Sequence, residues 1–250
     1  MTTSPPPDLA AFRDRARDAG VLLDFDGTLA EIVERPELAA AADGVGDALV
    51  ALVDRYRLVG ILTGRRASEI EDRLGAMPGL RVFGLYGLEG SVPMALPATT
   101  LDGAHRAAST VAGAWVEDKG GSLAVHYRQA EDPDAARLAL LVELRPVAAT
   151  AALETIEGKM VIELVPPGRP LKGGAIERLT GEHGLRALLY AGDDLADLDA
   201  FAALDRLHDL GAVTIKVAVR GTETPAELIA GADLVADRPG GLVELLRTLV

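Results

Sequence analysis

Two pairs of aspartates stand directly after apolar segments that have the length of buried strands. Asp24 and Asp26 end the apolar run of VLLDFDGTLAEI, and Asp193 and Asp194 end that of YAGDDLADLDAF. Carboxylates that share a site need a cation or a shared proton, because repulsion and desolvation both disfavour their charges. An Asp-Gly turn or a helix cap explains one such pair. Two pairs predict a site for a hard divalent cation such as Mg²⁺, which prefers oxygen ligands.

Two further segments carry groups that suit phosphate. The segment ILTGRRASEI ends an apolar run in Thr63 and Gly64, whose hydroxyl and backbone N–H groups would begin a helix, a good binding place for phosphate oxygens. Lys172 in RPLKGGAIERL begins a helical pattern, where its charge opposes the helix dipole unless an anion lies near. Either segment alone is a weak signal. With the aspartates they form a set for phosphoryl transfer through a carboxylate nucleophile.

These groups need a scaffold that brings the ends of several strands together. Short, continuously apolar segments predict buried strands at residues 21–25, 58–62, 81–87, 187–192, 213–219 and 232–237. Amphipathic segments predict helices at residues 43–56, 66–75, 172–182 and 195–205. Such alternation is typical of an α/β fold with a parallel sheet covered on both faces. Ligands bind beyond the carboxyl ends of the strands in these sheets, where both aspartate pairs lie.

The middle of the chain has a different pattern. Residues 104–116 and 133–145 predict helices, and residues 122–128, 147–157 and 159–166 predict strands with alternating polarity. Two helices with three or four strands would form an α+β layer. We therefore predict an inserted domain.

Spacing gives the position of the insertion. The stretch from Thr63 to Lys172 is far longer than one or two strand–helix steps require. The predicted domains are a first part of the core at residues 1–100, an inserted domain at residues 101–166 and a second part of the core at residues 167–250.

Composition restricts the class of partner. The 250 residues carry a formal net charge of −13 and no cluster of Lys and Arg, which disfavours nucleic-acid binding. There are no cysteines, so disulfides, thiolate metal sites and cysteine nucleophiles are excluded. The N-terminal residues lack the pattern of a signal peptide, and no apolar run has membrane-spanning length. We expect a cytoplasmic protein without membrane partners, and the sequence does not specify its oligomeric state.

The four motifs resemble, in order, those of the haloacid dehalogenase (HAD) superfamily. DFDGT is similar to motif I, Thr63 to motif II, Lys172 to motif III and GDD to motif IV. The resemblance implies a Rossmann-like HAD core with a parallel sheet flanked by helices. Because the long insertion lies between motifs II and III, it also implies an α+β cap domain of the C2 type.

The same resemblance implies a role for each motif residue. It makes Asp24 the nucleophile and Asp26 the general acid and base, while Thr63 and Lys172 hold the phosphate. The implied cofactor is Mg²⁺, and its implied ligands are Asp24, the backbone carbonyl of Asp26, Asp193 and Asp194.

Within the superfamily, the chain resembles the trehalose-6-phosphate phosphatase family. The similar segments are YGLEG, VEDKGGSLAVHYR and IELVPPGRPLKGGAI. The resemblance implies that residues of the cap bind sugar hydroxyls and that the cap closes on the sugar. The substrate-binding residues that it implies are Gly64, Arg65, Glu89, Lys119, His126, Arg128 and Glu163.

The chain departs from the family pattern at three positions. Ala196 and Leu198 replace a threonine and a glutamate, and Tyr86 stands where histidine is frequent. None of these departures removes a motif residue that phosphoryl transfer requires. We therefore predict a Mg²⁺-dependent phosphatase that acts on a small-molecule sugar phosphate, trehalose 6-phosphate. One alternative is a phosphatase for another disaccharide, pseudo-disaccharide or sugar phosphate, such as the phosphate of sucrose or of mannosylglycerate. The other two are a phosphosugar mutase and a non-catalytic regulator that binds a sugar phosphate.

Overall fold

The computed structural model describes residues 9–87, 96–167 and 172–250. Contacts divide the chain into two compact units, one built from its two ends and one from residues 90–169. We call the first unit the core and the second the cap.

Ten strands form two sheets in the described residues. The strands are β1 (Ala19–Leu23), β2 (Leu58–Leu62), β3 (Arg81–Phe83), β4 (Trp115–Asp118), β5 (Leu123–His126), β6 (Glu154–Gly158), β7 (Val161–Val165), β8 (Ala187–Gly192), β9 (Val213–Arg220) and β10 (Leu234–Asp237). The core sheet has the order β10-β9-β8-β1-β2-β3, and every neighbouring pair is parallel. The cap sheet has the order β4-β5-β7-β6 and is antiparallel.

Helices cover both faces of the core sheet. The α-helices of the described residues are α1 (Leu9–Asp14), α2 (Val45–Arg55), α3 (Ala67–Leu74), α4 (Ala98–Ser109), α5 (Pro133–Thr150), α6 (Lys172–His183), α7 (Ala196–Asp209), α8 (Ala226–Gly231) and α9 (Arg238–Arg247), of which α4 and α5 belong to the cap. Successive residues of β1 point to opposite faces, so that Val21 and Leu23 join one apolar cluster and Leu22 the other. Helices α1, α2, α3 and α9 contribute to the first cluster, and α6, α7 and α8 to the second. The predicted parallel α/β core with an inserted α+β cap is confirmed. None of these helices is both long and apolar enough to cross a bilayer.

The strand order creates a switch point between β1 and β8. The chain runs from β1 outward through β2 and β3, and later from β8 outward through β9 and β10. Leu23 pairs with Ala191 at the carboxyl ends of the two strands. The loops that follow β1 and β8 therefore leave the sheet side by side, which is where open α/β sheets bind ligands.

The cap has its own apolar core. Helices α4 and α5 pack on one face of its sheet, where Leu123 and Val125 of β5 meet Leu140 and Leu144 of α5. Helix α4 begins at Ala98, so the predicted boundary after residue 100 lies inside a helix.

Two sequence-based predictions for the cap were wrong in detail. Residues 147–157 were predicted as a strand, but α5 continues through Pro146 to Thr150. Proline removes one helical hydrogen bond, and the burial of Leu144 and Ala148 on the same face of the helix outweighs that loss. The predicted helix at 104–116 also ends early, because α4 stops at Ser109 and its last predicted residues belong to β4.

Candidate active site

The site lies at the switch point between β1 and β8. Asp24 directly follows β1, and its backbone N–H donates to the carbonyl of Ala191 in β8 at 2.9 Å. Asp193 directly follows β8. Both carboxylates are buried, with 7% and 2% of each residue exposed. This geometry agrees with the prediction that DFDGT and GDD lie side by side, because neighbouring parallel strands end at the same edge of the sheet.

A buried lysine neutralises part of the charge on Asp24. Lys172 is the first residue of α6, and its Nζ lies 2.8 Å from Oδ2 of Asp24 and 2.6 Å from Oδ1 of Asp197. Burial raises the pKa of Asp24 well above its usual range, although Lys172 opposes the shift. Burial alone would lower the pKa of Lys172, but Asp197 and Asp24 outweigh it and hold that pKa well above its usual range. Lys172 therefore pairs with both buried carboxylates at once.

Asp197 holds Lys172 in place through a hydrogen-bonded ion pair. It is fully buried, and its Oδ1 accepts from Lys172 and from the hydroxyl of Tyr190, each at 2.6 Å. Its Oδ2 accepts from the backbone N–H groups of Asp193 and Asp194, each at 2.7 Å. Four donors thus use the lone pairs of one carboxylate. The neighbouring Gly192 permits this approach, since a Cβ there would lie 2.2 Å from the Asp197 carboxyl carbon.

Three buried carboxylates, of Asp24, Asp193 and Asp197, have oxygens within 4.8 Å of one another. One lysine leaves this cluster with excess negative charge, so the donor set fits an additional hard cation. Because the oxygens of Asp197 already accept from four donors, Asp24 and Asp193 are the carboxylates that suit a metal. Thr28 donates to Asp193 at 3.3 Å and fixes its orientation.

The loop after β1 approaches this cluster through its backbone. Gly27 has a φ of +75°, and a Cβ built on it would lie 2.0 Å from an oxygen of Asp193. Only glycine combines that conformation with that closeness. The glycine of DFDGT is thereby explained by contact with the other motif.

Asp26 has a different environment from Asp24. Arg65 donates from Nε and Nη2 to its two carboxylate oxygens, at 2.6 and 2.7 Å. Arg65 also donates to Glu69 at 3.4 Å, and only 6% of this arginine is exposed. Such a bidentate pair fixes the carboxylate in the geometry of an ion pair. Arg65, which was predicted to bind substrate, here contacts Asp26.

Thr63 and Gly64 lie where the prediction placed them, directly after β2. Thr63 is 1% exposed, and its Oγ1 accepts from the backbone N–H of Arg65 at 3.2 Å. β1 and β2 are neighbours in the sheet, so this loop leaves the same edge as Asp24. The hydroxyl of Thr63 therefore belongs to the same crevice.

The buried acidic cluster differs from the predicted set of metal ligands, because it includes Asp197 and not Asp194. The backbone N–H of Leu195 donates to the predicted metal ligand Asp194 at 2.6 Å, so this carboxylate lies in a local turn. Sequence reasoning left Asp197 and Tyr190 out of the site. The signal for Asp197 was its place in a run of four aspartates, and Tyr190 was part of an apolar strand with no distinguishing mark.

The cap carries two polar pairs on its sheet. Lys119 donates to Glu163 at 2.6 Å, and their side chains are 11% and 8% exposed. His126 lies 2.8 Å from Glu117, and its ring stacks on that of Trp115 with a centroid separation of 4.2 Å. Lys119, His126 and Glu163 were the predicted sugar-binding residues of the cap sheet, and the structure brings Lys119 and Glu163 into contact.

Two predicted substrate-binding residues remain. Arg128 follows β5 in a turn and is half-buried. Glu89 lies outside the described residues.

Comparison with known proteins identifies the family of the chain. The sequence profile of the family described as trehalose-phosphatase matches residues 22–228. A trehalose-phosphate phosphatase of Mycobacterium avium is 33% identical over 208 residues, which cover 75% of this chain and 52% of that protein. An uncharacterised glycosyl hydrolase of Mycobacterium tuberculosis is 36% identical over 208 residues, covering 75% of this chain and 15% of that protein. The chain thus spans about half of the first relative's length and a small part of the second's.

Solved structures show the same fold. The C-terminal domain of trehalose-6-phosphate phosphatase from C. albicans superposes with a TM-score of 0.79 and 24% identity, covering 96% of this chain and 95% of that one. The predicted resemblance is confirmed, since the family profile covers most of the chain. The chain belongs to the trehalose-phosphatase family.

Proposed function

We propose that this chain is a phosphoric monoester hydrolase that releases phosphate from trehalose 6-phosphate. The observation that best supports this proposal is the buried carboxylate of Asp24 at the switch point, with Nζ of Lys172 at 2.8 Å and Asp193 beside it. A carboxylate can attack phosphorus, and fixed cations stabilise the charge on the transferring group.

The first step would form an aspartyl-phosphate. An oxygen of Asp24 attacks phosphorus while the bond from phosphorus to the sugar oxygen breaks, and Asp26 donates a proton to that oxygen. In the second step Asp26 takes a proton from water, which attacks the phosphorus and returns Asp24 and free phosphate. Arg65 donates one hydrogen bond to each oxygen of Asp26, which leaves a second lone-pair site on each oxygen for these proton transfers.

Mg²⁺ fits the donor set of this site. Asp24, Asp193 and the backbone carbonyl of Asp26 would hold it. When bound, Mg²⁺ would supply positive charge to the phosphate oxygens. Thr63 would donate to the same phosphate group, and Lys172 would keep its charge beside Asp24.

The cap would select the sugar. Lys119, His126, Arg128 and Glu163 carry donors and acceptors that suit hydroxyls, with Glu89 and Gly64 completing the proposed substrate-binding set. The contact between Lys119 and Glu163 supports this proposal, because a paired donor and acceptor can each exchange partners with a hydroxyl.

The test is phosphate release from trehalose 6-phosphate, with and without Mg²⁺, beside sucrose 6-phosphate, glucose 6-phosphate and mannosylglycerate phosphate. We expect Mg²⁺-dependent turnover with trehalose 6-phosphate preferred. Equal rates across the panel would refute the trehalose assignment, and no release from any ester would refute the phosphatase. Asp24→Asn should abolish release, whereas Asp72→Asn, an exposed change on α3, should leave it unchanged.

A further inference from the structure

The turn after β3 has an unusual backbone. Leu85, Tyr86 and Gly87 all have positive φ, at 50°, 57° and 83°. The left-handed region disfavours residues that carry a Cβ, so the first two are unfavourable in this conformation. Strained backbone of this kind persists where the surrounding structure imposes it, and it occurs often at functional sites.

Hydrogen bonds tie this turn to the loop that carries Thr63. The backbone N–H of Leu85 donates to the carbonyl of Arg65 and that of Tyr86 to the carbonyl of Thr63, both at 2.8 Å. Thr63 in turn donates its N–H to Phe83 at 3.2 Å. The strained turn therefore shares its position with the proposed phosphate-binding loop.

The side chain of Tyr86 fills the space beside this loop. A Cβ built on Gly64 would lie 2.6 Å from the Tyr86 hydroxyl oxygen, so the tyrosine packs where a larger residue at position 64 would stand. The ring also faces Lys172, whose Nζ is 5.9 Å from its centroid. That distance is within the range of a cation–π interaction.

We propose that Tyr86 is a positioning residue of the phosphate site. Its ring and hydroxyl form a wall that holds the Thr63–Gly64 loop and the Lys172 ammonium in place for a phosphate group. This inference rests on the proposed function for the identity of the ligand. It gives the departure from the family's frequent histidine a physical role.

The experiment measures binding of inorganic phosphate in the presence of Mg²⁺ by calorimetry. Tyr86→Gly removes the wall without backbone cost, because glycine accepts a φ of 57°. We expect the dissociation constant for phosphate to rise about tenfold, which corresponds to the loss of a modest set of contacts. Gly64→Ala should weaken phosphate binding in the unaltered protein and have no further effect in the Tyr86→Gly background.

Tyr56→Phe is the matched control. Its hydroxyl donates to the carbonyl of Leu249 at 2.9 Å, and the residue precedes β2, at the opposite end of that strand from Thr63. This change should lower thermal stability and leave phosphate affinity unaltered.

Two results would overturn the proposal. One is phosphate binding by Tyr86→Gly within about twofold of the unaltered protein, which is less than half a kcal/mol on the affinity scale. The other is an equal effect of Gly64→Ala in both backgrounds. If the unaltered protein binds phosphate but hydrolyses no sugar phosphate, the proposed function fails and Tyr86 is still judged by binding. If it binds no phosphate, the proposal for Tyr86 fails, and the proposed function is still judged by phosphate release.

Discussion

Lys172 in the core and Lys119 in the cap are both assigned to substrate, but their surroundings differ. Lys172 is 2% exposed and contacts two carboxylates that follow different strands, while Lys119 is 11% exposed and contacts Glu163 on the same sheet. The core lysine joins segments that are far apart in the sequence. The cap pair joins β7 to the residue after β4 within one small sheet. A change in the core should therefore disturb several groups at once, and a change in the cap should act locally.

The largest expected effect is that of Lys172→Met. It would leave Asp24 and Asp197 buried without their cation, and breaking a buried ion pair costs about 3–5 kcal/mol. Loss of a fixed charge at the transferring group should also lower kcat by about 10³-fold. Steady-state kinetics and urea unfolding measure the two effects.

Lys216→Met is its control, because Lys216 pairs with Asp205 in the same unit but on β9 and α7. That change should leave kcat within about twofold, a small energy on the transition-state scale. Retention of kcat within tenfold in Lys172→Met would contradict the assignment of Lys172.

The next effect concerns the metal and separates two adjacent aspartates. Mg²⁺ at about 100 times its dissociation constant should stabilise the core by about 2.7 kcal/mol. Asp193→Asn should remove most of this stabilisation and make the metal-free protein more stable, because it removes one charge from the acidic cluster. Scanning calorimetry with Mg²⁺ and with a chelator measures both changes.

Asp194→Asn is the matched control for the metal ligand. Its carboxylate accepts from the N–H of Leu195, so most of the Mg²⁺-dependent stabilisation should remain. An equal loss in the two variants would show that both carboxylates bind the metal, as the sequence alone suggested.

The core was more predictable than the cap for a physical reason. Its strands are short and apolar on both faces, and charged residues directly follow β1 and β8, at positions that the parallel sheet determines. The site could therefore be placed from strand ends alone. In the cap, residues 147–150 carry a pattern that suits a strand, and their helical state depends on packing against α4, where Val147 lies close to Gly103.

The side-chain contacts within the core site were not predictable from the sequence. Asp197 has the position of an ordinary acidic residue in the first turn of a helix, and only the fold shows that its carboxylate is fully buried. Arg65 and Asp26 are remote in sequence, and nothing in either motif specifies their bidentate contact. Such pairings depend on how loops leave the sheet, which local patterns do not encode.

A smaller effect is expected from the cap lysine. Lys119→Met removes a charged donor that contacts Glu163, and a hydrogen bond to a charged group contributes about 1.5–3 kcal/mol. We expect the KM for trehalose 6-phosphate to rise about tenfold or more, with kcat changed little, because the residue would bind the sugar and not the reacting group. A fall in kcat as large as that of Lys172→Met would remove the distinction between core and cap. Lys159→Met, also in the cap, serves as the control.

The smallest effect is spectroscopic, and it uses the single tryptophan of the chain. Trp115 stacks on His126 at an interplanar angle of 13°, so its emission should respond when a sugar contacts His126 or Glu117. In Asp24→Asn protein, which should not turn over substrate, trehalose 6-phosphate should change the emission. Inorganic phosphate with Mg²⁺ should leave it unaltered, because the proposed phosphate-binding residues belong to the core.

His126→Gln tests the same separation from the other side. It should alter the emission of the free protein by removing the stacked ring. It should lower kcat by no more than about twofold, because the proposed role of His126 is to bind the sugar and not the reacting group. A response of Trp115 to inorganic phosphate as large as its response to the substrate would mean that the cap senses the phosphate itself. In that case the cap does not bind the sugar alone, and the residues that select the sugar would have to be sought in the core.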